Sequence, residues 1–197
     1  MILQIRPALG GFHLSCSSPA GRGLQKELPE GSSARASGLP HGRSSSRFAA
    51  AAEERISILQ KKLIGPAKLI RSGGGTIGET DLLRTESGIC YRADLKDDIC
   101  ATAQLTCRSC SGAVSLIRPP QGVHLDIQTP YGEWTADRQK DQSVLFVRAS
   151  TVIGKISPFF SVRPQIFACS EEYPAFFWAA MYVFASYMMH EGDVDII

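Results

Sequence analysis

Between residues 89 and 169, apolar and polar positions alternate with a period of two. Ile89, Tyr91, Ala93 and Leu95 alternate with Cys90, Arg92 and Asp94, and Ala101, Ala103, Leu105 and Cys107 with Thr102, Gln104 and Thr106. Val114 and Leu116 continue the pattern, and Val123, Leu125 and Ile127 alternate with His124, Asp126 and Gln128. Short runs at 133–136, 143–149, 151–157 and 162–169 follow, with turn signals between runs at Asp97-Asp98, Ser111-Gly112, Pro119-Pro120 and Pro130-Tyr131-Gly132. About eight short strands so spaced predict a mainly β domain, an antiparallel sheet that curls or closes into a barrel. Ala103, Leu105, Leu125 and Ile127 are expected inside and Thr102, Gln104, Asp126 and Gln128 outside, because a slip of one residue would expose every apolar side chain.

Residues 173–189 break the alternation. They carry no charge, seven are aromatic, and only Ser186 and three tyrosine hydroxyls interrupt the apolar surface. As a helix the stretch is roughly 25 Å long. With no polar stripe it must be surrounded on all sides, by lipid or by protein. It is slightly short for a bilayer, which wants about 20 apolar residues. Its flanks hold Glu171, Glu172 and Glu191 without a nearby Lys or Arg, and one-sided strands need an apolar partner. The expected arrangement is therefore a hydrophobic C-terminal helix enclosed by the strands. Phe176, Phe177, Trp178, Met181 and Phe184 then serve as barrel core; in a membrane helix the same residues would meet lipid.

The first half of the chain reads differently. Residues 1–47 are rich in Ser, Gly, Arg and Pro, a composition expected of a disordered tail or of an organelle transit peptide. Residues 48–64 predict an amphipathic helix: AAAAEER is helix-forming, and Ile56, Leu59 and Leu63 recur on one face. It would lie on the body or on a membrane interface. Residues 65–88 read as a Gly-rich linker. Gly73 to Gly78 matches the letters of a dinucleotide fingerprint, but a crossover helix has no room before Gly88. That leaves residues 89–197 as the folded domain.

Charge follows this division. The first fifty residues hold 6 Lys/Arg against 2 Asp/Glu, while the whole chain is only +2. The basic balance is assigned to the tail, and no nucleic-acid partner is expected of the body.

Candidate chemistry is sparse. Cys107 and Cys110 form a C-x-x-C beside Cys90 and Cys100, but zinc usually takes two such hooks. Buried or half-buried thiols are the plain reading, and S-acylation at Cys107 and Cys110 is the functional one. The four histidines form no spaced set, and His124 is expected to face solvent. Asp94, Asp97 and Asp98 read as a strand end and turn. No catalytic constellation, metal set or cofactor site emerges, so the expectation is a protein that is not an enzyme and carries no cofactor.

Several pieces resemble one family. LDIQTPYG at 125–132, VIGKIS at 152–157, Arg118-Pro119, the cysteine-rich run from Cys100 to Cys110 and the uncharged segment after Tyr173-Pro174 are similar to the phospholipid scramblase and LURP-one-related group. The resemblance covers about residues 89–191. It implies the tubby-like fold, a barrel threaded by a hydrophobic C-terminal helix. The scramblase barrel is longer, so several strands are expected to be missing or shortened here. The family's acidic, calcium-linked segment before the helix is reduced to Glu171-Glu172, and its proline-rich N-terminus is absent. The implied function is non-enzymatic handling or binding of membrane phospholipid, with any protein partner unspecified. The implied location is intracellular, at a membrane, with the mitochondrion the organelle a transit-type tail would address. The alternatives are a single-pass, tail-anchored organelle membrane protein or assembly factor with 173–189 as the span, and a soluble barrel binding a small apolar ligand.

Overall fold

The computed structural model of the protein describes residues 1–8, 11–17, 55–61, 66–85, 88–107, 122–159 and 164–189. Twelve strands form one closed antiparallel barrel: β1 (Ile2–Ala8), β2 (Gly11–Ser17), β3 (Arg55–Gln60), β4 (Lys68–Ser72), β5 (Gly75–Thr85), β6 (Gly88–Leu95), β7 (Cys100–Cys107), β8 (Gly122–Thr129), β9 (Gly132–Arg138), β10 (Val144–Arg148), β11 (Thr151–Ile156) and β12 (Gln165–Cys169). Each strand pairs with its neighbours in sequence, and β1 closes the ring on β12 with Ile2 opposite Ala168 and Ile5 opposite Gln165. Closure removes the unpaired edges an open sheet would present.

The barrel holds one helix, α1 (Ala175–Met189), and all fifteen of its residues are buried. Strand number explains why a helix fits. About 8 strands leave an interior that side chains alone can fill, and diameter grows with strand number, so twelve leave room for more. Each strand supplies one apolar row to the lining: Leu3 and Ile5 from β1, Ile56 and Ile58 from β3, Leu125 and Ile127 from β8, Phe146 from β10. Ala103 and Leu105 face in as expected, while Asp126 and Gln128 are exposed and Thr102 and Gln104 lie partly exposed on the outer face.

Two segments of the wall meet the helix through aromatic contacts. In the hairpin joining β8 to β9, Tyr131 packs 4.9 Å from Tyr173 and 5.1 Å from Phe177, ring centre to ring centre. In β11, a Cβ added to Gly154 would lie 3.1 Å from both Trp178 and Phe167. The glycine of VIGKIS is thus where the barrel wall meets the largest helix side chain.

Four expectations about the first half of the chain are corrected. Residues 1–47 include two strands, because Leu3, Ile5 and Leu14 supply inward-facing positions; residues 18–54 lie outside the described set. Within 48–64, Arg55–Gln60 is β3 and not helix: the alternation of β-branched Ile56 and Ile58 outweighs the helical spacing of Ile56, Leu59 and Leu63. The 65–88 linker is β4, β5 and the tight turn between them, with Gly73 and Gly74 both at positive φ (56° and 84°). Asn-Gly and Gly-Gly pairs serve such two-residue hairpins because both central residues need that conformation. Finally, with β1 to β5 in the barrel, the folded domain begins well before residue 89. The run around Val114 and Leu116 lies outside the described residues.

Candidate functional site

The interior is occupied by the helix, and its few polar atoms bond to the surrounding chain or within the helix itself. Trp178 Nε1 donates to the Ser170 carbonyl at 3.0 Å, Tyr182 Oη to Gln165 Oε1 at 2.6 Å, and Ser186 Oγ to the Val183 carbonyl at 2.8 Å. Tyr187 Oη donates to the Pro66 carbonyl and lies 3.4 Å from Thr80 Oγ1. Arg148 donates to Tyr173 Oη at 2.6 Å just before the helix begins. The sequence-predicted set is therefore placed as barrel core: Phe177, Trp178, Met181 and Phe184 are fully enclosed and Phe176 nearly so, with Lys96 Nζ 4.4 Å above its ring. No helix among the described residues is long and apolar enough to cross a membrane.

The thiols are scattered. Cys90 and Cys100 lie on the outer face of β6 and β7, and Cys16 and Cys169 on either side of β1 near one rim. Burial raises the pKa of Cys90 and Cys100, and pushes Cys169 up to about 12. Such groups stay thiols at neutral pH and are poor nucleophiles. Cys107 ends β7 but its side chain is outside the described set, as is the whole of Cys110, so the proposed acylation pair has no geometry to report. The Gly73–Gly78 run forms a hairpin tip and the start of β5, followed by strand and not by the helix a phosphate-binding turn requires.

His124 is not simply solvent-facing. Its ring sits on the outer wall between two carboxylates, Nδ1 2.6 Å from Asp137 and Nε2 3.1 Å from Asp126. Burial of the ring lowers its pKa, but the bonds to Asp137 and Asp126 outweigh this and hold it above the ordinary value. The stabilisation from the charged ring is thus complete below the unfolded-state pKa of about 6.5 and fades as pH rises through the higher folded-state value. His124→Gln should cost up to about 1 kcal/mol near pH 6 and less near pH 8, as read from thermal melts, the pair being partly exposed. A cost that does not change with pH would show that the charged ring contributes nothing.

The feature that distinguishes the outer surface is a division of charge around the barrel. All six carboxylates within strands fall between β5 and β9, on β5, β6, β8 and β9: Glu79, Asp81, Asp94, Asp126, Glu133 and Asp137. The remaining seven strands, β10 through β12 and round to β4, contain no Asp or Glu. They carry Arg148, Lys155, Arg6, His13, Arg55, Lys68 and Arg71. Register aligns several of these. Arg6 lies opposite His13, His13 opposite Ser57, and Ser57 opposite Arg71, one row across four strands. Arg55 stands one position along, opposite Ser15. His13 Nδ1 is 3.0 Å from Ser57 Oγ. Arg71 donates to the Gly74 carbonyl at 2.5 Å, while its buried Nε has no hydrogen-bond partner.

The sequence pattern does not show this surface, because Arg6 and His13 fall in a stretch whose composition reads as a tail and Arg55 in one whose spacing reads as a helix. The basic balance of the first fifty residues belongs in part to the barrel wall. The available signal was local: residues 2–8 and 55–60 alternate as strands while containing no acid. Scans of protein-family models and searches of curated proteins and of solved structures found no match to this chain.

Proposed function

We propose that this protein is a non-enzymatic, scramblase-like phospholipid-binding barrel that works at the surface of an intracellular membrane. The observation that carries the reading is the seven-strand sector without a carboxylate, crossed by the row Arg6, His13 and Arg71 with Arg55 beside it. A basic sector of this kind is drawn to anionic headgroups by about 1 kcal/mol for each Lys or Arg near the surface. The opposite sector is acidic, so the field has a direction and would orient the barrel as it approaches. Family resemblance supports lipid as the partner. So does the absence of an exposed aromatic among the described residues, since single-stranded nucleic acid is commonly held by stacking on such rings.

Co-sedimentation of the full chain with vesicles tests the proposal. Vesicles of phosphatidylcholine with a minority of phosphatidylserine should pull the protein down, pure phosphatidylcholine should do so far less, and added salt should release it. Equal binding to both vesicle types, or none to either, would remove the electrostatic basis of the reading.

A further inference from the structure

Four large hydrophobic side chains are exposed among the described residues: Ile2, Leu83, Val152 and Ile166. Scattered single apolar side chains on a surface are ordinary. Three of these four, however, stand on consecutive strands. Val152 is on β11, Ile166 on β12 and Ile2 on β1, with fractional exposures of 56%, 48% and 42%. Register sets Ile2 and Ile166 side by side on one outer face, while Val152 lies further along β11, near Ser170. Ile2 lies opposite Ala168, and Ile166, two residues before Ala168 on the same face, lies opposite Gln4. Ala168 in turn lies opposite Lys155. It also lines a surface groove of about 690 Å³ with Val152, Ile153, Arg148, Lys155 and Glu172. The exposed apolar side chains therefore lie on one side of the barrel, with Lys155 between Val152 and Ile166 and with Arg148 and Arg6 at the edges. The exposed Glu171 and Glu172 stand just past the end of β12, and the three strands themselves hold no carboxylate.

We infer that Ile2, Val152 and Ile166 are the part of the barrel that enters the bilayer, so that the protein docks side-on through β11, β12 and β1. This rests on the phospholipid reading above and adds an orientation and a depth to it. The apolar side chains pass below the headgroups while Lys155, Arg148 and Arg6 meet the phosphates, the division of labour found in interfacial membrane helices. Charge is what selects a bilayer over a second copy of the chain. A two-fold interface sets the same patch against itself, and the patch and its border hold more cations than carboxylates, Arg6, Arg148 and Lys155 against Glu171 and Glu172. An anionic lipid surface complements that excess of cations.

The test uses tryptophan as a depth probe in the full chain. Trp134 and Trp178 are buried, so an added ring on the surface reports separately from them. Ile166→Trp and Val152→Trp place the ring in the patch, and Gln128→Trp places it on β8 in the acidic sector. With vesicles containing phosphatidylserine and brominated phosphatidylcholine, emission from both patch variants should shift to the blue and be quenched, while Gln128→Trp should behave as it does in buffer. Ile166→Asp should weaken vesicle binding about ten-fold, the scale of burying one such side chain, with an unchanged thermal melt. If all three tryptophan variants sediment with vesicles but the patch probes are not quenched, the orientation is wrong and the phospholipid reading stands. If wild-type protein does not sediment at all, both fall together. A stable dimer in sedimentation velocity that Ile166→Asp dissolves would assign the patch to a second copy and overturn the inference.

Discussion

Ala180→Arg should leave no folded barrel. Ala180 is fully buried near the middle of α1, with wall on every side. The described buried polar groups are Thr80, Ser143, Gln165 and Ser186, none of them a carboxylate. An arginine there would have no opposite charge to meet. Its guanidinium would also need space that the neighbouring aromatic rings occupy. Effective penalties for an unpaired buried ion are several kcal/mol, and domains are stable by only about 5–15 kcal/mol. The expected result is loss of the cooperative thermal transition and recovery in the insoluble fraction. Gln128→Arg, on the exposed face of β8, should change stability by no more than about 0.5 kcal/mol. A cooperative melt for Ala180→Arg near that of the parent would mean that the helix is not enclosed.

Charge reversal on the basic sector should have the largest effect on binding. Arg6→Glu, Arg55→Glu and Arg71→Glu together remove three attractions and introduce three repulsions. At up to about 1 kcal/mol per charge near an anionic surface, the ceiling on the combined change is on the order of 6 kcal/mol. Arg6, on β1, should come nearest to its share, and Arg55 and Arg71, on β3 and β4 further round the ring, should contribute less. The side chains of Arg6 and Arg55 are exposed and that of Arg71 half-buried, so the first two carry little folding cost. Arg71, with its hydrogen bond to Gly74, carries the most. The pair Arg6→Glu and Arg55→Glu therefore serves as the cleaner variant, with a loss of about a hundred-fold or more by the same arithmetic. Asp126→Asn in the acidic sector should leave vesicle binding unchanged or slightly tighter. A reversal variant that melts normally and still binds like the parent would contradict the assignment of the basic sector.

The C-terminal half of the fold was legible because its strands alternate cleanly and its helix has no polar face. Leu125 and Ile127 could point nowhere but inward, and a charge-free segment of seven aromatics had to be surrounded, by protein or by lipid. The N-terminal half was hidden by its surroundings. Ile2 to Ala8 and Gly11 to Ser17 adjoin a Ser- and Arg-rich stretch, and averaging over both conceals two short runs of alternation. In β3 two periods compete within one hexapeptide, and long-range pairing of Ile56 with Ser72 and Leu14 decides between them. Local propensity contains no information about such partners. The Gly73-Gly74 turn was legible as flexible backbone but not as a hairpin, because its flanking strands are only five residues on one side and bulged on the other. The candidate surface was least legible of all. Its row of Arg6, His13 and Arg71 joins residues up to 65 positions apart, and only the pairing of β1 through β4 makes them neighbours.

Extraction of the full chain from membranes tests the central claim most directly: that the barrel keeps its helix inside and meets lipid from without. For residues 173–189 to span a bilayer, α1 would have to leave the barrel. That would give up the Trp178–Ser170, Tyr182–Gln165 and Tyr187–Pro66 hydrogen bonds and expose the apolar lining to water. A barrel that keeps its helix predicts release from the membrane pellet by alkaline carbonate, with the released protein showing the same thermal melt as protein purified without detergent. Retention in the pellet after carbonate, with solubilisation only by detergent, would contradict the account and place 173–189 in the bilayer.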